Sequence, residues 1–130
     1  MKFNKLIPEL SVKDIHKSKK FYLEILGFKL NYERTEDQFA FISLNGAQMT
    51  IEQCNGHWET AELEYPYGRG INFQIEVENI EVILQNLKNH NISLFRDTMI
   101  NNYSGFTQKE FIVQDPDGYL LRFSQAYSIQ

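Results

Sequence analysis

The chain has 130 residues, of which 42% are hydrophobic, 23% charged and 14% aromatic, and its formal net charge is −4. This composition is typical of a globular protein, and the length suits one domain or two small modules that share a core. The longest basic run is Lys17-Ser18-Lys19-Lys20, which the periodicity places on the face of a helix. Because nucleic-acid binding needs clustered Lys and Arg against phosphates, we expect no nucleic-acid partner.

Cysteine content and hydropathy indicate the compartment. Cys54 is the only cysteine, which excludes an intramolecular disulfide and a zinc site built from several thiolates. The first residues lack a long apolar stretch followed by small residues, so no signal peptide is predicted. No segment approaches the length of a membrane-spanning helix. We therefore expect a cytoplasmic protein without a membrane partner.

Hydrophobic periodicity predicts a strand, a helix and three further strands in the first half of the chain. Asp14 is the predicted N-cap of the helix, and Gly27 is predicted to end it. Asn45-Gly46 is a strong two-residue hairpin signal between the last two strands. The predicted bounds are strand 6–12, helix 15–26, and strands 28–34, 39–44 and 47–53.

The second half repeats this order. A strand over 71–77 precedes a helix from Ile80 to the break at 89–91, and a strand covers 93–98. Residues 99–108 are predicted to be irregular. Strands 110–114 and 119–124 then form a hairpin around Asp115-Pro116-Asp117-Gly118, where Pro pre-sets the turn and Gly takes the positive φ.

Two copies of one unit therefore predict an α+β fold of two βαβββ modules in a single domain, 1–130. Module 1 covers about 1–54 and module 2 about 71–130. Few residues are identical between the halves, so the repeat rests on the order of elements. The linking loop, 55–70, carries Trp58, Tyr65 and Tyr67. These rings favour an ordered flap, because they would be poorly solvated in a disordered loop.

Strand alternation separates the side chains into two faces, and the helices can cover only one of them. The opposite face mixes carboxylates and amides with Phe39 and Phe41. It is either the solvated back of a half-buried sheet or the lining of a cleft, and the pattern leaves both open. The apolar side chains predicted on the helix side are Leu6, Leu10, Val12, Ala40, Ile42, Leu44, Ala47, Met49, Ile51, Ile71, Phe73, Ile75, Val77, Phe111, Val113, Tyr119, Leu121 and Phe123.

Three segments resemble the vicinal oxygen chelate superfamily, which includes glyoxalase I, extradiol dioxygenases and bleomycin resistance proteins. They are Pro8–Ile15, then Ser18–Phe28 with its Phe-Tyr and terminal Leu-Gly-Phe, then Asp115–Tyr119. The resemblance covers nearly the whole chain and is closest to bleomycin resistance-like members. It implies a glyoxalase-like fold, in which the paired modules form a curved mixed sheet around a cleft, and a homodimer.

The resemblance also implies where a metal would be held in members that use one. Those positions fall on Ile7, Glu52, Asn72 and Arg122. Only Glu52 is a credible ligand, because Ile7 has no donor atom, Asn72 is a weak oxygen donor and Arg122 is permanently cationic. We therefore expect no metal, no other cofactor and no metal-dependent catalysis.

The favoured hypothesis is a bleomycin resistance-like protein that sequesters a cationic aromatic drug or metabolite without chemistry. Flat rings would stack on the ligand, and carboxylates would hold its amines. Two alternatives stay open: a glyoxalase-like or dioxygenase-like metalloenzyme with an altered metal site, and a structural dimer with a vestigial cleft. The predicted ligand-binding residues are Glu9, Phe39, Phe41, Glu52, Trp58, Asn72, Tyr103, Phe106, Glu110 and Arg122.

Overall fold

The computed structural model describes residues 1–128 and contains eight strands and two helical segments of more than one turn. Helix α1, Ile15–Lys19, passes without a break into a π-helical turn, Lys20–Ile25, and a short 3₁₀ turn covers Thr35–Asp37. In chain order the other elements are β1 Glu9–Val12, α1 Ile15–Lys19, β2 Lys29–Arg34, β3 Phe39–Leu44, β4 Ala47–Gln53, β5 Asn72–Glu76, α2 Ile80–Asn89, β6 Arg96–Tyr103, β7 Phe106–Gln114 and β8 Leu120–Ser128.

The strands form two four-stranded mixed sheets with orders β1-β4-β3-β2 and β5-β8-β7-β6. In each sheet the first strand pairs in parallel with the last, and the remaining pairs are antiparallel. The two βαβββ modules and the α+β class are thus confirmed. The hydrogen-bonded ladders within residues 1–128 stay inside each module, so the mixed sheet is divided in two.

The helix of module 1 begins as the sequence predicts. The Asp14 carboxylate accepts hydrogen bonds from the backbone N–H groups of His16 and Lys17 at 3.0 and 3.3 Å, which satisfies donors that have no partner within the helix. The helix then widens into the π turn before Gly27, which has a φ of 87°. The π turn buries Phe21 and Tyr22 on the sheet.

One hydrophobic core joins both modules and lies between the sheets and the helices. Most of the side chains predicted on the helix side are buried in it. Leu6 and Ile71 are exceptions, with exposed fractions of 82% and 52%. The prediction was wrong for these two residues because β1 starts at Glu9 and β5 at Asn72, so neither residue lies within a strand.

Residues 99–108 are not irregular as predicted. They form the ends of β6 and β7, which pair from Ile100 with Lys109 to Tyr103 with Phe106. Gly105 makes the tight turn, with a φ of 88°. Asn-rich stretches disfavour strands, but here the antiparallel partner supplies the backbone hydrogen bonds that the local sequence does not favour.

The two modules are joined by matching contacts. Asn45, in the hairpin turn of module 1, accepts from the Glu78 N–H at 2.9 Å. Asp117, in the turn of module 2, accepts from the Lys13 N–H at 3.2 Å. Each turn therefore bonds the chain just beyond the first strand of the other module.

Candidate functional site

The acidic face is the surface of module 1 that points away from its helix, formed by Glu9, Phe39, Phe41, Thr50 and Glu52. Three adjacent strands build it, because Glu9 pairs with Thr50, Thr50 with Phe41, and Glu52 with Phe39. The same alternation sends the intervening residues of these strands into the core. The register thus brings together two carboxylates and two rings that are far apart in sequence.

The Glu52 carboxylate lies close enough to Glu9 to affect the charge of Glu9. Partial burial and the nearby Glu52 carboxylate raise the pKa of Glu9 above its ordinary value, against smaller opposing effects from Thr50 and Arg34. Glu52 is 9% exposed and accepts a hydrogen bond from the Asn55 amide at 3.0 Å. Among residues 1–128, no Lys or Arg forms a salt bridge with either carboxylate. Binding of a cation at the acidic face is therefore electrostatically favourable.

Phe39 and Phe41 lie on this face, but other aromatic groups cover them. Tyr32 stacks on Phe41 at 5.2 Å between ring centroids, and Phe3 meets the same ring edge-on at 5.5 Å. Phe41 is consequently only 2% exposed, whereas Tyr32 and Phe3 are 37% and 54% exposed. The Arg34 guanidinium lies 3.9 Å from the centre of the Phe39 ring. The accessible rings are thus mainly Tyr32 and Phe3.

Sequence reasoning missed these covering residues for different reasons. Tyr32 and Arg34 lie in a strand that was predicted, so the alternation of β2 could have indicated them. Phe3 precedes the first strand, and the contacts that position its segment are made by Asn4, whose N–H donates to Gln48 at 2.7 Å and whose amide donates to the Gly46 carbonyl at 2.9 Å. A non-periodic segment carries no signal for such a contact.

A second cluster lies on the corresponding face of module 2. Glu110 is 5% exposed, and its carboxylate accepts two hydrogen bonds of 3.2 Å from Arg122. Arg122 also donates to the Asn72 side-chain oxygen at 3.2 Å. The three predicted residues are thus brought together by β5, β7 and β8. They line a hollow of about 230 Å³, here named the module 2 hollow, whose full lining is Asn72, Phe95, Arg96, Glu110, Ile112, Leu120 and Arg122.

The residues at the metal positions implied by the resemblance do not fit a divalent ion. The Asn72 oxygen already accepts from the Arg122 guanidinium, and a fixed positive charge at that place opposes a metal. Glu52 lies on the acidic face of the other module, and Ile7 offers no donor. Within residues 1–128, no three His, Cys, Asp or Glu side chains are grouped as a metal site would need.

The remaining predicted residues lie apart from both clusters. Trp58 is 65% exposed on the linking loop. Tyr103 and Phe106 stack on each other at 4.9 Å at the tip of the β6–β7 hairpin. No aromatic pair or hydrogen bond described within residues 1–128 connects these three side chains to the acidic face or to the module 2 hollow. Their roles in binding stay predictions.

A cavity of about 960 Å³ was not predicted. It lies where the linking loop overhangs the start of α1, and Lys13, Lys17, Tyr65, Tyr67 and Asp117 are among its lining residues. Tyr67 is anchored there by an edge-on contact with Tyr119 at 5.9 Å and by a backbone bond to Asp117. The loop is thus partly ordered by Tyr67, as expected of a flap, whereas Trp58 and Tyr65 face solvent.

No helix within residues 1–128 is both long and apolar enough to cross a membrane.

Comparisons with known proteins agree with this architecture. A bleomycin resistance protein from Geobacillus stearothermophilus is 32% identical over 128 residues, which cover 92% of this chain and 94% of that protein. A glyoxalase/bleomycin resistance protein/dioxygenase from Alicyclobacillus acidocaldarius superposes with a TM-score of 0.67 at 20% identity, covering 96% of this chain and 93% of the other. TioX from a Micromonospora species superposes with a TM-score of 0.72 at 13% identity, covering 98% and 99%.

The two structural matches fall at low sequence identity and concern the fold alone. The sequence profile of the Glyoxalase/Bleomycin resistance protein/Dioxygenase superfamily matches residues 4–123. With its paired βαβββ modules and a relative at 32% identity over nearly its full length, the chain belongs to the glyoxalase/bleomycin resistance/dioxygenase superfamily.

Proposed function

We propose that this protein binds and sequesters a cationic aromatic drug or metabolite of the bleomycin type, without chemistry, as a cytoplasmic homodimer. The observation that carries the proposal is the acidic face, where Glu9 and Glu52 lie close enough to raise the pKa of Glu9 and no basic side chain forms a salt bridge with either within residues 1–128. The 32% identity to a bleomycin resistance protein supports the same ligand class.

The acidic face offers a ligand both carboxylates and aromatic rings. A ligand ammonium placed between two carboxylates relieves their mutual repulsion and gains charge-assisted hydrogen bonds. The exposed rings of Tyr32 and Phe3 border the same face, and they offer the flat surface on which an aromatic ligand stacks. Sequestration needs only such binding, because withholding the ligand from its target requires no reacting group.

The dimer forms part of the proposal because the groups offered to a ligand, Glu9 and the rings of Tyr32 and Phe3, are exposed in a single chain. Small-molecule sites usually enclose most of the ligand surface, and a face formed by one four-stranded sheet encloses much less. A second copy placed over the faces would close them. Sedimentation velocity at micromolar concentration is expected to show a mass of twice 15.4 kDa, and a monomer at these concentrations would contradict the dimer.

The binding test is isothermal titration calorimetry with metal-free bleomycin, using wild type, Glu9→Gln and Glu24→Gln. Glu24 is exposed on the π turn, on the helix side of module 1, so its variant makes the same charge change away from the acidic face. We expect wild type to bind in the micromolar range and Glu9→Gln to bind roughly fivefold more weakly, because one charge-assisted contact is lost. The control variant should retain wild-type affinity.

Fluorescence offers a second readout, because Trp58 is the only tryptophan. A ligand that reaches the linking loop is expected to quench it. Absence of heat and of quenching up to millimolar bleomycin would refute the drug hypothesis and leave a structural dimer with a vestigial cleft. Equal weakening in the Glu9 and Glu24 variants would show that overall charge, and not the acidic face, attracts the drug.

A further inference from the structure

We propose that the cavity beside the linking loop is a second binding site, which takes a phosphorylated small molecule that also carries an aromatic ring. This cavity, here named the loop cavity, lies where Gln53, at the end of β4, and the start of α1 face the linking loop. Within residues 1–128, its lining shares no residue with the acidic face, the module 2 hollow, the predicted ligand-binding residues or the implied metal positions. The inference therefore goes beyond drug sequestration.

The loop wall of the cavity is held by contacts of its own. Arg69 donates hydrogen bonds to the backbone carbonyls of Tyr65 and Pro66, at 3.0 and 3.3 Å. Pro66 packs so closely on Gly118 that a carbon added at Gly118 would lie 2.5 Å from it. A ligand that enters the cavity therefore does not have to order this wall, and binding avoids that entropy cost.

Ser18 contributes a buried hydroxyl to the lining. The residue is 0% exposed, and its hydroxyl has no hydrogen-bond partner within residues 1–128. Most buried polar side chains do have a partner, because an unpaired hydroxyl loses its hydration and gains no bond in return. An acceptor oxygen of a ligand in the cavity can supply the missing bond.

The cavity also holds two ammonium groups that have no carboxylate partner. Lys13 and Lys17 line it and are exposed, and neither forms a salt bridge in the part of the chain that the structure describes, 1–128. Burial raises the pKa of Asp117, and the ammonium groups of Lys17 and Lys13 oppose this rise. Both ammonium groups therefore lie near the same carboxylate, and so near each other.

The two carboxylates of the lining are already bonded to backbone donors. Asp14 accepts from the N–H groups of His16 and Lys17, and Asp117 accepts from the Lys13 N–H at 3.2 Å. The two lysine ammonium groups have no such bond within residues 1–128. The charges that remain for a ligand to neutralise are thus positive, which favours an anionic group.

A phosphate group suits these donors better than a carboxylate does. Each ammonium group has three N–H donors, and Ser18 adds a hydroxyl donor. A phosphate monoester carries about −1.5 to −2 charges at pH 7 and presents three strong acceptor oxygens, so it can accept from Lys13, Lys17 and Ser18 from different directions. A carboxylate has only two oxygens, which lie in one plane with their carbon.

The rest of the lining indicates what the phosphate is attached to. The volume of about 960 Å³ lies at the upper end of the range for small-molecule sites, so the cavity has room for more than a phosphate. Tyr65 lines it with a ring that is 62% exposed, and Leu63 adds apolar surface. A planar ring of the ligand can stack on Tyr65. A mononucleotide has this combination of phosphate and planar ring.

The test uses adenosine 5′-monophosphate (AMP) as the probe, with adenosine, which lacks the phosphate, and ribose 5-phosphate, which lacks the ring. Calorimetry gives the affinities, and backbone amide signals in ¹⁵N-resolved NMR locate the ligand. We expect AMP to shift signals of residues 13–18 and 63–69. Adenosine should bind about tenfold more weakly and ribose 5-phosphate about fivefold more weakly. Equal affinity for AMP and either analogue, or no binding of AMP up to millimolar concentration, would overturn the proposal.

The variants Lys17→Gln and Lys20→Gln make the same charge change at neighbouring positions. Both lysines are exposed, but only Lys17 lines the cavity. We expect Lys17→Gln to weaken AMP binding about fivefold, because one charge-assisted contact is lost, and Lys20→Gln to leave it unchanged. Equal weakening in both variants would show that overall charge attracts the phosphate, and would refute the site.

Ser18→Ala tests the buried hydroxyl. AMP affinity should fall about threefold to tenfold, because a ligand oxygen loses a donor. The midpoint of urea unfolding should stay the same or rise, because the hydroxyl that is removed has no partner in the free protein. Wild-type affinity for AMP, or a lower urea midpoint, would contradict the role of Ser18 in binding.

Bleomycin titrations keep this site distinct from the proposed function. The acidic face is intact in Lys17→Gln, so that variant should bind bleomycin as wild type does. A protein that binds AMP but not bleomycin would refute the drug hypothesis alone. Displacement of bleomycin by AMP from wild type would show that the two ligands share one site, and would overturn the second site.

Discussion

Asp115 predicts a specific dependence of stability on pH. Its carboxylate is buried, with 4% of the residue exposed, and accepts hydrogen bonds from the Tyr22 hydroxyl at 2.7 Å and from the backbone N–H groups of Asp117 and Tyr119 at 2.9 and 3.0 Å. Burial outweighs these bonds and raises the pKa of Asp115 to about 6. The perturbation is Asp115→Asn, which keeps the shape and removes the charge.

The sign follows from proton binding. Between the ordinary value of 3.8 and about 6, the folded protein holds a proton on Asp115 that the unfolded chain releases, so the free energy of unfolding falls as pH rises through this window. A shift from 3.8 to about 6, at 1.36 kcal/mol per pKa unit, corresponds to about 3 kcal/mol. This contribution is fully lost above the folded pKa and fully present below the unfolded one.

The assay is urea unfolding at a series of pH values from about 4 to about 7.5. The free energy of unfolding of Asp115→Asn minus that of wild type should grow by about 2.4 kcal/mol over this range, because the range starts just above the ordinary value of 3.8 and only wild type loses stability through this group. Other titrating residues cancel in the difference. Asp97→Asn, at an exposed position, serves as the control and should leave the pH profile unchanged.

A difference in the free energy of unfolding between Asp115→Asn and wild type that stays constant across the whole pH range would refute the titration of Asp115. Tyr22→Phe gives an independent check. The Tyr22 hydroxyl lowers the pKa of Asp115, so removing the hydroxyl should move the wild-type transition to higher pH. A transition at unchanged pH in that variant would show that another group titrates.

Three other perturbations test the packing of the molecule. Arg122→Met should lower the free energy of unfolding in urea by about 3 kcal/mol, because Glu110 stays buried without its partner. Adding Glu110→Leu should restore most of this loss. If Arg122→Met alone were as stable as wild type, the ion pair would not stabilise the fold. Gly46→Ala should lower the free energy of unfolding by about 1 kcal/mol, because Gly46 has a positive φ. Gly118→Ala should lower it further, because Gly118 also has a positive φ and its added carbon would lie 2.5 Å from Pro66. An equal loss of unfolding free energy in the two variants would refute the clash with Pro66. Burial and the neighbouring Glu59 raise the pKa of the Cys54 thiol to about 11. Iodoacetamide should therefore alkylate Cys54 slowly at about pH 8 and faster as the pH rises through 11. Rapid alkylation at pH 8 would contradict the raised pKa.

The order of elements could be predicted because each depends on neighbours in sequence. Asp14 caps the helix through N–H groups two and three residues away, and Asn45-Gly46 turns the chain within one hairpin. The exact first and last residues of the strands were less predictable. Leu6 continues the alternation of β1 but lies outside it, because β4 pairs with β1 only from Glu9 onward.

The candidate site was predictable only in part, because it also depends on how strands pair. Alternation placed Glu9, Glu52 and Arg122 on the face opposite the helices, and the structure puts them there. Which of them meet is decided by register and by long-range packing: Arg122 bonds Glu110 and Asn72, while Glu52 belongs to the other module.

By itself, the sequence determined the doubled strand and helix pattern, the caps and turns, and which face of each strand is polar, because these follow from backbone geometry and from residues a few positions apart. Only the tertiary structure decided that Phe3 and Tyr32 cover Phe41, that residues 99–108 pair as a hairpin, and that Phe95 and Arg96 complete a hollow with Arg122. Those contacts join segments far apart in the chain, and their free energy comes from burial and hydrogen bonds that exist only after the sheets have formed.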